Sequence, residues 1–168
     1  MKTQILFMIL LLGVAVAAAQ HQHGAPAGAG VPADHRAFLD AERAAIERGE
    51  GFGMALAADR NGFPGPKHVL ELKKELQLTP QQEAAMQKLF DDMRAKATAR
   101  GKEVLAAEVR LGKYFAEGRS EDELREETYR VSTLRAELRW VHLSTHLAAK
   151  KLLSPAQVQT YMKLRHGS

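Results

Sequence analysis

The sequence predicts an all-α protein, a long antiparallel helical hairpin with a short helix at each end. Three observations carry this. Two long amphipathic stripes are separated only by a short Gly/Ser turn. The signature Leu-[Thr/Ser]-Pro-x-Gln is written twice, as Leu78-Thr79-Pro80-Gln81-Gln82 and Leu153-Ser154-Pro155-Ala156-Gln157. No segment shows the period-two alternation of a strand.

The first 19 residues, MKTQILFMILLLGVAVAAA, read as a cleavable secretory signal peptide. They carry one basic residue, an apolar run from Ile5 to Val16 and small residues at Ala17 and Ala19. The run is shorter than the ~20 residues a spanning helix needs. Export is therefore expected, with an uncleaved anchor as the alternative. The chain has no Cys, so packing or a partner must replace disulfides. Its net charge of +4 comes from 24 Lys and Arg against 20 Asp and Glu. The charges are interspersed, and aromatic residues are few, which speaks against nucleic-acid binding.

Residues 20 to 33 are a Gly/Ala/Pro tract with His21 and His23 and no apolar face, expected to be a flexible tail. Residues 34 to 48 suit a helix that Asp34 caps and Gly49 stops. From 49 to 65 the glycines and prolines allow at most a helical turn around Met54 to Ala58. The domain proper is expected over residues 66 to 166. Pro66 opens a short helix to about Gln77 with Val69, Leu70, Leu72 and Leu76 as its apolar positions.

Met86, Leu89, Phe90, Met93, Ala97, Val104, Leu111 and Phe115 form one stripe of a helix from Pro80 to about Ala116. It would be roughly 55 Å long. Gly101 and Gly112 inside it are candidate points of bending. Gly118 ends it. Ser120, with Glu123 three residues on, caps a second long helix whose stripe runs from Leu124 to Leu152. A last helix spans Pro155 to Leu164. In each Leu-[Thr/Ser]-Pro-x-Gln signature the hydroxyl can cap the new helix, the Gln can return to the cap's own N–H, and Pro takes the first helical position. Leu78, Thr79, Gln82, Leu153, Ser154 and Gln157 therefore read as two helix corners. A thin hairpin with such corners has little interior, and dimerisation is the natural remedy.

The paired motifs, at the outer ends of a long hairpin behind a signal peptide, resemble the Spy/CpxP family of periplasmic proteins. The resemblance covers residues 66 to 166. It implies cradle-shaped dimers. It also implies either an ATP-independent chaperone for unfolded clients, an envelope-stress regulator partnered with a membrane sensor protein, or a heavy-metal-binding relative of the ZraP and CnrX kind. Under the chaperone reading, basic and scattered apolar groups would meet clients. Candidates are Met93, Arg94, Arg100, Leu111, Arg135 and Arg139, with Lys96, Lys102, Arg110, Lys113 and Arg130.

His142 and His146 stand four apart on one helix, a spacing that can hold Zn²⁺, Ni²⁺ or Cu²⁺ if further ligands join. Glu103, Glu108 and His68 are candidates by location. The alternative is that the two histidines are partly buried polar residues beside the stripe. A cut after Ala18 would make His21 the third residue, a planar Cu²⁺ or Ni²⁺ site; a cut after Ala19 would remove it. Otherwise His21 and His23 are solubilising. A His-x-x-x-His on an early helix, carried by metal-sensing relatives, is absent. So are His-Glu-x-x-His, Gly-x-Ser-x-Gly and a phosphate-binding glycine loop, and no enzyme activity or required cofactor is expected.

Overall fold

The computed structural model describes residues 33–167. The expected signal peptide, the tail up to Pro32, and His21 and His23 lie outside the described residues. Six helices follow in order: α1 (Ala33–Glu47), α2 (Leu56–Asp59), α3 (Pro66–Glu71), α4 (Pro80–Ala116), α5 (Glu121–Lys151) and α6 (Pro155–His166). The described residues contain no strand. The chain is thus all-α and built on a long helix pair.

Side-chain caps fix where the three longest C-terminal helices start. Thr79 accepts from the Gln82 N–H, Ser120 from Glu123 and Ser154 from Gln157, and in each case the third-residue side chain returns to the cap N–H. Gly118 ends α4 at φ 65°, with the Arg119 N–H reaching back to the Tyr114 carbonyl. The turn is therefore short, and α5 returns along α4.

The α3 region differs from expectation. The α-helix stops at Glu71, and hydrogen-bonded turns carry the chain on to Gln77. Gln77 sits at φ 49°, and the Leu78 N–H reaches the Lys73 carbonyl, a helix-end arrangement that usually employs glycine. The left-handed residue turns the chain into the first corner.

The two ends of an antiparallel hairpin are neighbours in space, so both short helices gather at its open end. There Val69, Leu76, Met86, Ala149, Leu153 and Tyr161 form a buried cluster, with Leu78 packed against it. A second cluster lies further along the hairpin: Ile46, Ala97, Val104 and Leu138, flanked by Met54 and Met93. Ile46 and Met54 belong to the N-terminal segment, so residues 33–65 lie against the hairpin and contribute to its core.

Gly101 explains how. A Cβ on Gly101 would stand 2.8 Å from the Ile46 side chain and from the Ile46 carbonyl oxygen. The glycine lets α1 seat on α4; the α-helix runs unbroken through it. Gly49 is constrained twice, by φ 70° and by a Cβ position 2.6 Å from Thr98 Oγ1. Gly112 by contrast has open space around it. Gly112→Ala is expected to stabilise the protein by about 0.5–1 kcal/mol through helix propensity. Gly101→Ala should lose that gain to overpacking and destabilise by about 1–3 kcal/mol. Chemical denaturation of both variants checks the difference in sign.

Candidate functional site

The two corner motifs meet. Gln82 Nε2 donates to Gln157 Oε1 at 2.9 Å, and Gln157 Nε2 donates to Gln82 Oε1 at 3.0 Å. Each amide also donates across the open end to a carbonyl, Gln82 to Leu152 at 2.8 Å and Gln157 to Leu76 at 3.1 Å. Each oxygen accepts in addition from its own cap, Thr79 N–H at 3.0 Å and Ser154 N–H at 2.9 Å. A primary amide has two donors and two acceptor sites, and here all four are used on both residues. Glutamate in the same place would lack donors and set two carboxylates face to face, so the chemistry selects glutamine.

Below the corners, residues 48–59 and the start of α3 lean over α4 and α5 and enclose a cavity of about 610 Å3. His142 and His146 face it from α5. His142 is only 5% exposed, and a Cβ on Gly51 would approach its Nδ1 to 3.3 Å. Its Nε2 is buried without a hydrogen-bond partner. His146 donates from Nδ1 to the Phe63 carbonyl at 2.7 Å, and a Cβ on Gly65 would stand 2.8 Å from its ring. Gly51 and Gly65 are thus where backbone lies on imidazole. Burial lowers the pKa of both histidines; at His142 the neighbouring His146 adds to this, and at His146 the Phe63 carbonyl opposes it.

Asp59 anchors the segment at its far side. Tyr161 donates to Asp59 Oδ1 at 2.5 Å, and His166 Nε2 lies 3.2 Å from Oδ2. Burial, together with the Asp59 carboxylate, pushes the Tyr161 phenol pKa up.

Of the residues considered as metal ligands, His68 lines the same cavity as His142 and His146, whereas Glu103 and Glu108 do not. Among the described residues no three His, Asp or Glu converge in a way that could hold a metal ion. His68 is engaged with Glu71 at 2.7 Å, Glu103 with Arg100 at 2.6 Å, and Glu108 with Arg135 at 2.7 Å. His142 and His146 supply two of the four donors of a tetrahedral zinc site, and the described chain brings them no third.

The residues considered for client contact are also spread out. Met93 packs on the second cluster and, with Arg94, lines the cavity. Arg100 also bridges to Glu137 at 3.1 Å, Arg135 ties Glu42 of α1 at 3.1 Å, and Arg139 donates to the Met54 carbonyl at 3.1 Å. Three of the arginines therefore hold helix to helix or segment to hairpin. Leu111 is half-buried, about 27 Å along α4 from Met93.

Sequence reading alone missed the amide pair and the cavity. The first was open to inference, because both motifs flank the open end of one hairpin. The second was not, because its walls come from five segments distant in sequence.

Two measurements check this geometry. In a double-mutant cycle, Gln82→Ala and Gln157→Ala should each destabilise, with a coupling of about 1–3 kcal/mol between them by denaturant unfolding. The lowered histidine pKa values mean that the unfolded chain binds more protons as pH falls. Their stabilisation is full above the ordinary histidine pKa of 6.5 and is lost as pH drops below it. Melting temperature should fall on acidification from pH 7.5 to 5, and fall less in His142→Leu.

A model of the LTXXQ motif family matches residues 65–165, in agreement with the Spy/CpxP-type resemblance. No curated protein gives a significant match. No solved structure does so either. The matched region opens at Gly65, ends in α6 and contains both corners, the hairpin and the amide pair that closes it. The chain belongs to the LTXXQ motif family.

Proposed function

We propose that the protein is a periplasmic, non-enzymatic chaperone that holds unfolded clients without ATP and acts as a homodimer. Family membership fits the Spy/CpxP/ZraP group. Among the described residues no helix is long and apolar enough to cross a membrane.

One observation carries the client-binding part. The face of α5 turned to α4 buries Val131, Leu138, His142 and Ala149. The opposite face also carries apolar groups: Tyr129, Ala136, Trp140 and Leu147, spaced seven, four and seven. Tyr129 is 67% and Trp140 59% exposed. Their spacing puts them on one helical stripe about 27 Å long. Exposed Arg130 and Arg139 alternate with it. Large apolar side chains set among cations give weak, reversible contact with extended chains together with long-range attraction.

A second reading, a metal-binding sensor or resistance protein for Zn, Cu or Ni, is favoured by one observation, the buried unpartnered Nε2 of His142. It requires ligands beyond His142 and His146.

Aggregation of a reduced model client, followed by light scattering without ATP, separates the two readings. The full chain should suppress aggregation at near-stoichiometric ratios with or without chelator. Tyr129→Ala/Trp140→Ala should lose most of that suppression while keeping its melting temperature within about 1 kcal/mol equivalent, as surface changes do. Calorimetric titration of Zn²⁺, Cu²⁺ and Ni²⁺ should give no heat that depends on His142 and His146. Strong His-dependent binding without aggregation suppression would reverse the assignment.

A further inference from the structure

The cavity under residues 48–59 has a charge imbalance that neither functional reading uses. Four cations line it, Arg48, Lys67, Arg94 and Arg165, against two carboxylates, Glu50 and Asp59. Asp59 is occupied by Tyr161 and His166. Glu50 is bonded to Arg48 at 2.9 Å. Lys67 and Arg94 have no ion-pair partner among the described residues, yet both act on the Glu50 carboxylate. That carboxylate sits below the usual range, first through its hydrogen bond to Arg48 and then through their charges. Three cations from three segments therefore share the cavity wall with a single exposed acid.

The remaining wall is mixed, with His68, His142, Thr145 and His146 beside an apolar part. Leu56, Phe90 and Met93 contribute to that part, and the cavity's size falls within the range of about 300–1,000 Å3 typical of small-molecule sites. The same excess of positive charge disfavours a divalent cation there.

The geometry points to a binding site for a small amphipathic carboxylate, its acid group received by Lys67 and Arg94 beside Glu50 and its aliphatic body lying over Leu56, Phe90 and Met93. Glu50 is the internal competitor. It already fills part of the positive field, so removing its charge strengthens the site while removing a cation weakens it. Loss of local structure would weaken binding in both cases. The inference is independent of the chaperone reading.

The test is calorimetric titration of the full chain with sodium decanoate below its micelle concentration, with 1-decanol and decyltrimethylammonium as probes of equal chain length. Decanoate should bind at one saturable site, about tenfold more tightly than either comparator. Arg94→Ala and Lys67→Ala should each weaken decanoate about tenfold and abolish its advantage over decanol; Glu50→Gln should tighten decanoate severalfold. Circular dichroism melts establish that each variant is folded. No saturable heat with decanoate, equal binding of decanol, preference for the cation, or weakening by Glu50→Gln would each overturn the proposal.

Discussion

The reciprocal amide pair of Gln82 and Gln157 is the constraint on which the rest of the molecule depends. At its turn the hairpin is closed by the chain itself. At its open end nothing covalent holds α4 to α5, and the residues joined by these amides lie 70 to 81 positions apart. Two side chains make four hydrogen bonds across that end while each also completes its own helix cap. Such a network is worth having only when complete, since a half-satisfied polar group away from water costs more than it contributes. Beneath it Leu78 and Leu153 turn into the cluster around Met86 and Tyr161. The corners thereby set how α3 and α6 sit on the hairpin, and α6 in turn offers Tyr161 to Asp59.

The N-terminal segment is fitted to that frame by subtraction of side chains. The family match begins at Gly65, so nearly all of the segment lies outside it. At three of its close approaches to the hairpin one partner is glycine: Gly101 beneath Ile46, Gly51 against His142, Gly65 against His146. Other contacts include the packing of Met54 on the second cluster and polar links from Arg135 to Glu42, Arg139 to the Met54 carbonyl and His146 to the Phe63 carbonyl. The burial that lowers the pKa of the two imidazoles is therefore in good part a property of this segment. A hairpin without it would leave both rings on a surface.

Much of the fold was legible because its signals are local. Ser or Thr with Gln or Glu three residues on marked the starts of α4, α5 and α6, and the apolar stripe gave α4 its 37 residues. The early stop of α3 was not legible, because Leu72 leaves helical geometry at φ −102° and ψ 20° with no glycine or proline to mark it. Nor was the purpose of the stretch from 49 to 65. Its glycines look like breaks in a sequence, and only the opposing ring or helix reveals that Gly49, Gly51 and Gly65 are points of contact. The partners of the arginines were hidden in the same way: exposed and paired arginines look alike until Glu42, Glu108 and Glu137 are seen beside them. Of the site, the corner residues were readable from spacing, whereas the cavity depends on long-range assembly.

The distribution of burial along the hairpin bears on how it could work. The open end has a large apolar cluster and the amide network, and the middle has a second cluster that α1 reinforces. Beyond Val104 the interface narrows to Ala107 and Val131 and then to a polar contact, where Arg110 reaches the buried Glu127 at 2.8 Å. An ion pair of this kind contributes little net free energy once desolvation is subtracted. Local stability must therefore decline from the corners toward the turn. Val109, Phe115 and Tyr129, three of the most exposed large apolar side chains, all lie in that less firmly held half. Trp140 and Leu147 lie in the firmer half, so the stripe proposed to meet clients runs from a rigid end to a more yielding one, a division that would let a chaperone adapt to varied extended chains without itself unfolding.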